Sequence, residues 1–282
     1  MNKKSLQKAV LITGCSSGIG YQTAKDLQMR GYDVIATARK QEDVKKLNSE
    51  GLFSLQLDLS DSNSIKEAFA KTLGHTNGTL YGLFNNGAYG QAGAVEDLSR
   101  ETIKQQFETN VFGWIELTNL AIPIMRSQGA GRIIYNSSIL GLIALKFRGA
   151  YNASKFAIEG FADTLRLELN NTKIFISLIE PGPIESKFRQ NSYEIYMRTI
   201  DRNNSAFKDD YFIAEQRLQK QGAAVPFTLP AEAVSKKVLH ALESNKPKPR
   251  YYVTFPTYLF AYLKRFLPHR ILDKILIKIS NN

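Results

Sequence analysis

Thr13-Gly14-Cys15-Ser16-Ser17-Gly18-Ile19-Gly20 follows directly on the apolar run Ala9–Ile12 and opens a helical pattern. Its glycines permit a tight turn and close approach of backbone to a pyrophosphate. The first turn of the helix then offers unpaired N–H groups and the positive end of its dipole. A glycine-rich stretch alone says little. Between a first strand and a first helix, it sits where a parallel α/β sheet binds nucleotide phosphates. Gly14, Ser16, Ser17, Gly18, Ile19 and Gly20 are therefore the expected phosphate-side ligands, and Cys15 reads as a small residue filling the turn rather than a reactive thiol.

Outward from this loop, short apolar runs alternate with amphipathic stretches. Strands are expected at Ala9–Thr13, Asp33–Ala38, Leu52–Leu57, Tyr81–Asn85, Arg132–Ser137, Ile174–Ile179 and Tyr251–Thr254. Ile65, Ala68, Phe69 and Leu73 recur at helical spacing after a Ser60/Asp61 cap, with Gly74 as the stop. Longer helices are expected around Ser99–Ser127 and Tyr151–Leu169. The β-α-β-α order predicts an α/β fold: a doubly wound, mostly parallel, seven-stranded Rossmann-like sheet with helices on both faces, as one domain over residues 1–282.

Two regions break the rhythm. Residues 187–229 are polar and aromatic, and read as a long loop inserted over a substrate. Residues 255–282 carry apolar positions at helical spacing, among them Tyr258, Leu259, Leu263, Leu272, Ile275 and Leu276, interleaved with Lys264, Arg265, Arg270, Lys274 and Lys278. Two C-terminal helices packed on the domain are the leading reading, with contact to a membrane surface as the alternative.

The chain has 282 residues, 43% hydrophobic and 22% charged, which suits a folded domain with a substantial core. A formal charge of +11, spread along the chain, reads first as a solvated basic surface, with attraction to a phosphorylated cofactor, acidic carrier or anionic lipid as the functional alternative. The basic residues are dispersed and match no nucleic-acid module, so nucleic-acid binding is not expected. A lone cysteine excludes an intrachain disulfide and favours a reducing, cytoplasmic setting. The segment Met1–Lys8 is polar and basic, and no run reaches the length of a membrane span. His75, His240 and His269 lie apart, so no metal site is expected.

The second expected strand ends Ala36-Thr37-Ala38, followed by Arg39-Lys40. A carboxylate at that end would bond a ribose 2′-hydroxyl, whereas an arginine accommodates a 2′-phosphate. Asp33 comes too early. Arg39 therefore argues for NADP(H) over NAD(H).

Tyr151 and Lys155 lie four apart in Ala150-Tyr151-Asn152-Ala153-Ser154-Lys155, and so share one helical face. A free phenol with pKa about 10 is a poor base near neutrality, and lowering it by ~3 units takes about 4 kcal/mol. An ammonium at ~4 Å in a partly screened site supplies energy of that order. The expectation is an acidified tyrosine that moves protons.

Together, these motifs resemble those of the short-chain dehydrogenase/reductase family, over about Val10 to Ser186. The resemblance implies that Tyr151 is the general acid/base and Lys155 its activator and a ribose ligand. Ser138, thirteen residues earlier, would hold the substrate oxygen, and Asn110 would belong to a water relay behind the lysine. Asp58 and Leu59 match an adenine-contacting pair; Pro181, Gly182, Ile184 and Ser186 match the segment that fixes the nicotinamide carboxamide. The family's usual N-N-A-G reads Asn85-Asn86-Gly87-Ala88 here, which leaves Asn86 and Gly87 as cofactor contacts on an altered local backbone. The layout is similar to the hydroxysteroid and retinol dehydrogenase side of the family, and implies interconversion of a carbonyl and an alcohol on a lipophilic small molecule. Two rivals stand beside this: a 3-oxoacyl-carrier-protein reductase, and a non-catalytic NADP(H)-sensing or scaffold protein. The family's two long helices leave a homo-dimer or tetramer open.

Overall fold

The computed structural model describes residues 8–219, 222 and 225–280. Most of the basic N-terminal segment noted above, and Asn281–Asn282 of the tail, lie outside them. Seven parallel strands form one sheet in the order β3-β2-β1-β4-β5-β6-β7. They are β1 (Ala9–Ile12), β2 (Asp33–Ala38), β3 (Ser54–Gln56), β4 (Gly82–Asn85), β5 (Gly131–Asn136), β6 (Ile174–Glu180) and β7 (Arg250–Tyr252). Eleven α-helices are described: α1 (Gly18–Met29), α2 (Gln41–Ser49), α3 (Ser62–His75), α4 (Arg100–Phe107), α5 (Gly113–Ser127), α6 (Gly149–Glu168), α7 (Phe188–Thr199), α8 (Lys208–Gln219), α9 (Glu232–Glu243), α10 (Phe255–Phe266) and α11 (His269–Ser280).

Successive residues of a strand point to opposite faces, so a strand covered on both sides is apolar throughout. In β1, Ala9 and Leu11 join the core beneath α3, α5 and α6, whereas Val10 and Ile12 join the core beneath α1, α2 and α9. This double covering explains why β1 shows no polar alternation. The strand order reverses at β1 and β4, which opens a crevice at their carboxyl ends where ligands bind in such sheets.

Several expected boundaries shift for local reasons. At the sheet edge, only Ser54–Gln56 of the expected third strand pair with β2, although Leu52 and Leu57 are buried beside it. Asp61 caps α3 as expected, accepting from the Asn63 N–H, but the helix runs past Gly74 to His75. The helix expected around Ser99–Ser127 is interrupted at Glu108–Phe112 by a π-helical turn. The largest correction concerns residues 187–229. The expected loop is mostly helical, with α7 and α8 joined through a short 3-10 turn at Arg202–Asn204. Its aromatics make a small core of their own: Tyr196 and Tyr211 pack with Ala94 and Ile200. Periodicity was obscured because α7 and α8 bury only a narrow stripe each.

The tail forms two helices that pack on the domain. Phe260 of α10 and Leu272 of α11 join Leu140, Ile143 and Tyr151 in one apolar cluster.

Candidate active site

The Thr13–Gly20 loop is shaped by contacts that admit no side chain. A Cβ on Gly14, whose φ is +71°, would lie 2.6 Å from the Gly87 Cα; one on Gly20 would lie 2.3 Å from the Gly14 carbonyl oxygen. Backbone strain and backbone clash thus coincide at Gly14. Thr13 Oγ1 accepts from the N–H groups of Asn86 and Gly87, both at 2.8 Å, and Asn86 Nδ2 donates to the Thr13 carbonyl. The exchanged Gly87-Ala88 pair therefore still packs on the phosphate loop. Ser17 at the head of α1 makes no side-chain cap, so the first N–H groups of this helix remain free for an anion. A cradle of this shape fits a dinucleotide pyrophosphate.

Other expected cofactor residues converge on the same crevice. Ser186 lies against Gly18, at 3.1 Å from where a Cβ would stand. The Pro181 carbonyl accepts from the Ile139 N–H, and Gly182 is pressed on Thr254. Ile184 bridges to Leu229. Arg39 is exposed at the end of β2 with no ion-pair partner among the described residues. Asp58 uses one carboxylate oxygen to hold Ser60, and the Leu59 carbonyl abuts Gly113. Cys15 is wholly buried, its thiol donating to the Ile12 carbonyl, and burial pushes it up to about 12. An inert space-filling residue is what remains.

Tyr151 and Lys155 rise from the first turns of α6, and Ser138 follows β5. The Ser138 hydroxyl faces the phenol closely enough to favour its ionised form. Lys155 Nζ donates to the Asn136 carbonyl at 2.7 Å and lies 4.3 Å above the Trp114 ring. Asn110 sits in the π-helical turn. Its amide donates to the Tyr89 carbonyl and to Ser154 Oγ, and its oxygen accepts from the Tyr89 N–H. Ser154 in turn donates to the Tyr151 carbonyl. Asn110 is thus tied to the helix that carries the phenol.

Burial works against the expected acidification of Tyr151. Burial dominates and pushes Tyr151 up to about 12, against smaller opposing effects of Ser138 and the Arg148 guanidinium. Burial likewise pushes Lys155 down to about 7, partly opposed by Glu159. In the protein alone, burial therefore favours the neutral phenol, the form that donates a proton. Lys155 Nζ lies 5.6 Å from the Tyr151 ring centre and is bonded to the Asn136 carbonyl.

Residue-type reasoning missed several parts. Trp114 Nε1 donates to the Gly87 carbonyl, linking the lysine's ring floor to the cofactor side. Asn136 Nδ2 donates to Asn86 Oδ1. Glu159, Asp163 and Glu180 gather around Arg250, and Glu159 also accepts from Ser137 beside Ser138. The Glu159 position, four after Lys155 on one helical face, was the available signal. Burial raises both the Glu159 and Glu180 carboxyls beside the one guanidinium, and Glu180, also repelled by Glu159, is pushed up to about 8.

The family model described as short chain dehydrogenase matches residues 8–196. The chain belongs to the short-chain dehydrogenase/reductase family. An Escherichia coli K12 protein named "Uncharacterized oxidoreductase YbbO" is 43% identical over 97% of this chain and 95% of its own length. The bovine 17-beta-hydroxysteroid dehydrogenase type 6 is 33% identical over 96% of this chain and 88% of its own. A crystal structure of a short-chain dehydrogenase from Streptomyces avermitilis is 25% identical, covers 95% of this chain and 94% of that one, and superposes with a TM-score of 0.76. This short-chain dehydrogenase/reductase is accordingly an oxidoreductase with an NAD(P)-binding fold. Among its described residues, no helix is long and apolar enough to cross a membrane.

Proposed function

We propose that this enzyme is an NADP(H)-dependent reductase of lipophilic ketones or aldehydes. The observation that carries the proposal is Tyr151, a buried phenol packed in one apolar cluster with Leu140, Ile143, Phe260 and Leu272, where burial favours its neutral form. An apolar wall around one polar group is how a site selects a lipophilic molecule bearing one reactive oxygen.

The bound cofactor supplies the hydride. Tyr151 donates its phenolic proton to the substrate oxygen, and Ser138 orients that oxygen by hydrogen bonding. Lys155 and Asn110 position the helix-borne donor, and Gly14, Ser16, Ser17, Gly18, Ile19 and Gly20 would hold the pyrophosphate. Asp58, Leu59, Asn86 and Gly87 would face the adenosine half; Pro181, Gly182, Ile184 and Ser186 would face the nicotinamide. A phenol is more acidic than the alcohol formed when it protonates the developing alkoxide, so the protonated phenol is suited to the reductive step near neutral pH. The reverse reaction should accelerate as pH rises towards the phenol's own range. Arg39, exposed and unpaired, supports a 2′-phosphate. The test is NADPH oxidation with decanal and with a ketosteroid, beside NADH. Arg39→Ala is expected to cost at least tenfold in kcat/KM for NADPH and little for NADH. A native enzyme that prefers NADH tenfold overturns the cofactor reading.

Two partner readings accompany this. Phe255, Tyr258, Leu259, Tyr262 and Phe266 form an exposed stripe along α10, opposite the buried Thr257, Phe260 and Ala261. The segment Phe255–Ser280 holds five lysines and arginines against the single acid Asp273. Aromatic stripe and positive charge together support docking on an anionic bilayer surface from the cytoplasmic side. Vesicles rich in phosphatidylglycerol should sediment the protein, and neutral vesicles should not. A shallow depression lined by Phe112, Ile115, Leu120 and Phe161 on α5 and α6 supports self-association there, which light scattering would read.

A further inference from the structure

Three arginines without a counter-charge among the described residues lie on the segments that flank Tyr151. Phe147, just before α6, packs its ring on Phe207 and Tyr211 at 5.4 and 5.6 Å, which ties the loop before Tyr151 to the start of α8. Phe188, at the start of α7, lies with its ring 5.4 Å from that of Tyr151. The next residue, Arg189, donates from Nη1 to the Arg217 carbonyl at 3.5 Å and from Nη2 to the Gly222 carbonyl. Arg217 of α8 repels Arg148, and Arg148 acts on the Tyr151 phenol. Arg148, Arg189 and Arg217 thus stand on three segments that pack on one another beside Tyr151.

All three arginines are half-buried, and none is ion-paired among the described residues. Three acids of this region are engaged elsewhere. Glu215 accepts from Arg202 at 2.9 Å and from the Tyr196 hydroxyl at 3.0 Å. Asp97 accepts from Ser205 and Tyr211, and Glu194 from Gln190. Like charges gathered in partial burial oppose folding unless something of opposite charge joins them. The planar guanidinium fork suits carboxylate and phosphate oxygens above other anions.

We infer that Arg148, Arg189 and Arg217 form a receptor for the anionic head group, carboxylate or phosphate, of an amphiphilic substrate. The assignment of its carbonyl to Tyr151 rests on the reductase reading above. Its apolar chain would run along Phe260 and Leu272, on the wall built by α10 and α11. The substrate class narrows from a lipid-like carbonyl to one carrying a negative charge.

Calorimetric titration of the full-length protein with decanoate, decyl phosphate and 1-decanol tests the receptor without requiring turnover. At least one anion should bind tenfold or more tightly than 1-decanol, and the tighter of the two identifies the head group. The preference should weaken with added salt. The double variant Arg148→Gln/Arg217→Gln should abolish it, and Arg148→Lys should retain part of it. Equal or tighter binding of 1-decanol by the native protein overturns the receptor, as does a preference that survives the double variant. NADPH oxidation with decanal is read in parallel. A protein that prefers decanoate but reduces no carbonyl keeps the receptor and loses the reductase reading.

Discussion

The crevice has two walls made by different means. On the cofactor side, Gly14, Gly20, Gly87 and Gly113 bring backbone against backbone, and almost no side chain is free to vary. On the side proposed for substrate, α7, α10 and α11 present Phe188, Phe260 and Leu272, where the contacts with Tyr151 belong to side chains. The first wall is fixed by what the main chain permits, the second by which residues decorate it. The contrast explains how one sheet can keep a cofactor and change its substrate.

The largest expected effect lies at the seam between the walls. Tyr151→Phe should lower kcat for decanal by about a thousandfold, the scale of a lost general acid, while NADPH affinity stays within twofold. Stopped-flow absorbance and fluorescence titration read the two numbers; an unchanged kcat would defeat the proton-donor role. Next comes the backbone wall. Gly20→Ala pushes a methyl into the Gly14 carbonyl, so NADPH affinity should fall about a hundredfold and stability by about 1–3 kcal/mol, as overpacking does. If titration showed native affinity, the claim that this wall tolerates no side chain would fail. On the decorated wall, Leu272→Ala should raise KM for decanal about tenfold and leave NADPH binding alone. Coupled losses of cofactor and substrate binding in this variant would blur the division.

The smallest effect concerns stability. The Glu180 carboxyl is raised above its ordinary value, so its contribution is complete below about pH 4.5 and is lost as pH climbs through about 8. Melting temperatures should decline by a few degrees between those limits. Glu180→Gln should flatten the decline, and a parallel slope in the variant would exclude Glu180 as its source.

The two walls also differ in how far they could be read from the sequence. The glycine loop announces itself because backbone demands leave a residue-type signature, and the apolar strands announce a sheet covered twice. Tyr151 and Lys155 could be paired from their spacing, but the direction of their shifts could not. That direction depends on burial by Leu140, Phe260 and Leu272, which are distant in the chain. Residues 187–229 read as a loop because α7 and α8 bury few positions each, chiefly Ser192, Tyr196 and Tyr211. The nearness of Arg189 to Arg217 was equally invisible, because it arises only where α7 packs on α8.

The wide turn at Glu108–Phe112 has a consequence for how this chain tolerates change. Such a turn holds one residue more than the helix around it, so the surplus is absorbed locally and the flanking stretches keep their facing. Deleting a single residue within it would leave a straighter, unbroken rod, with Gln106 and Trp114 still pointing inward. The amide of Asn110 would be withdrawn from Tyr89 and Ser154, and the neighbouring Val111 would turn from the core it fills. A length change in the middle of the longest helical stretch would thus be felt first at the two inward residues of the turn, one polar and one apolar.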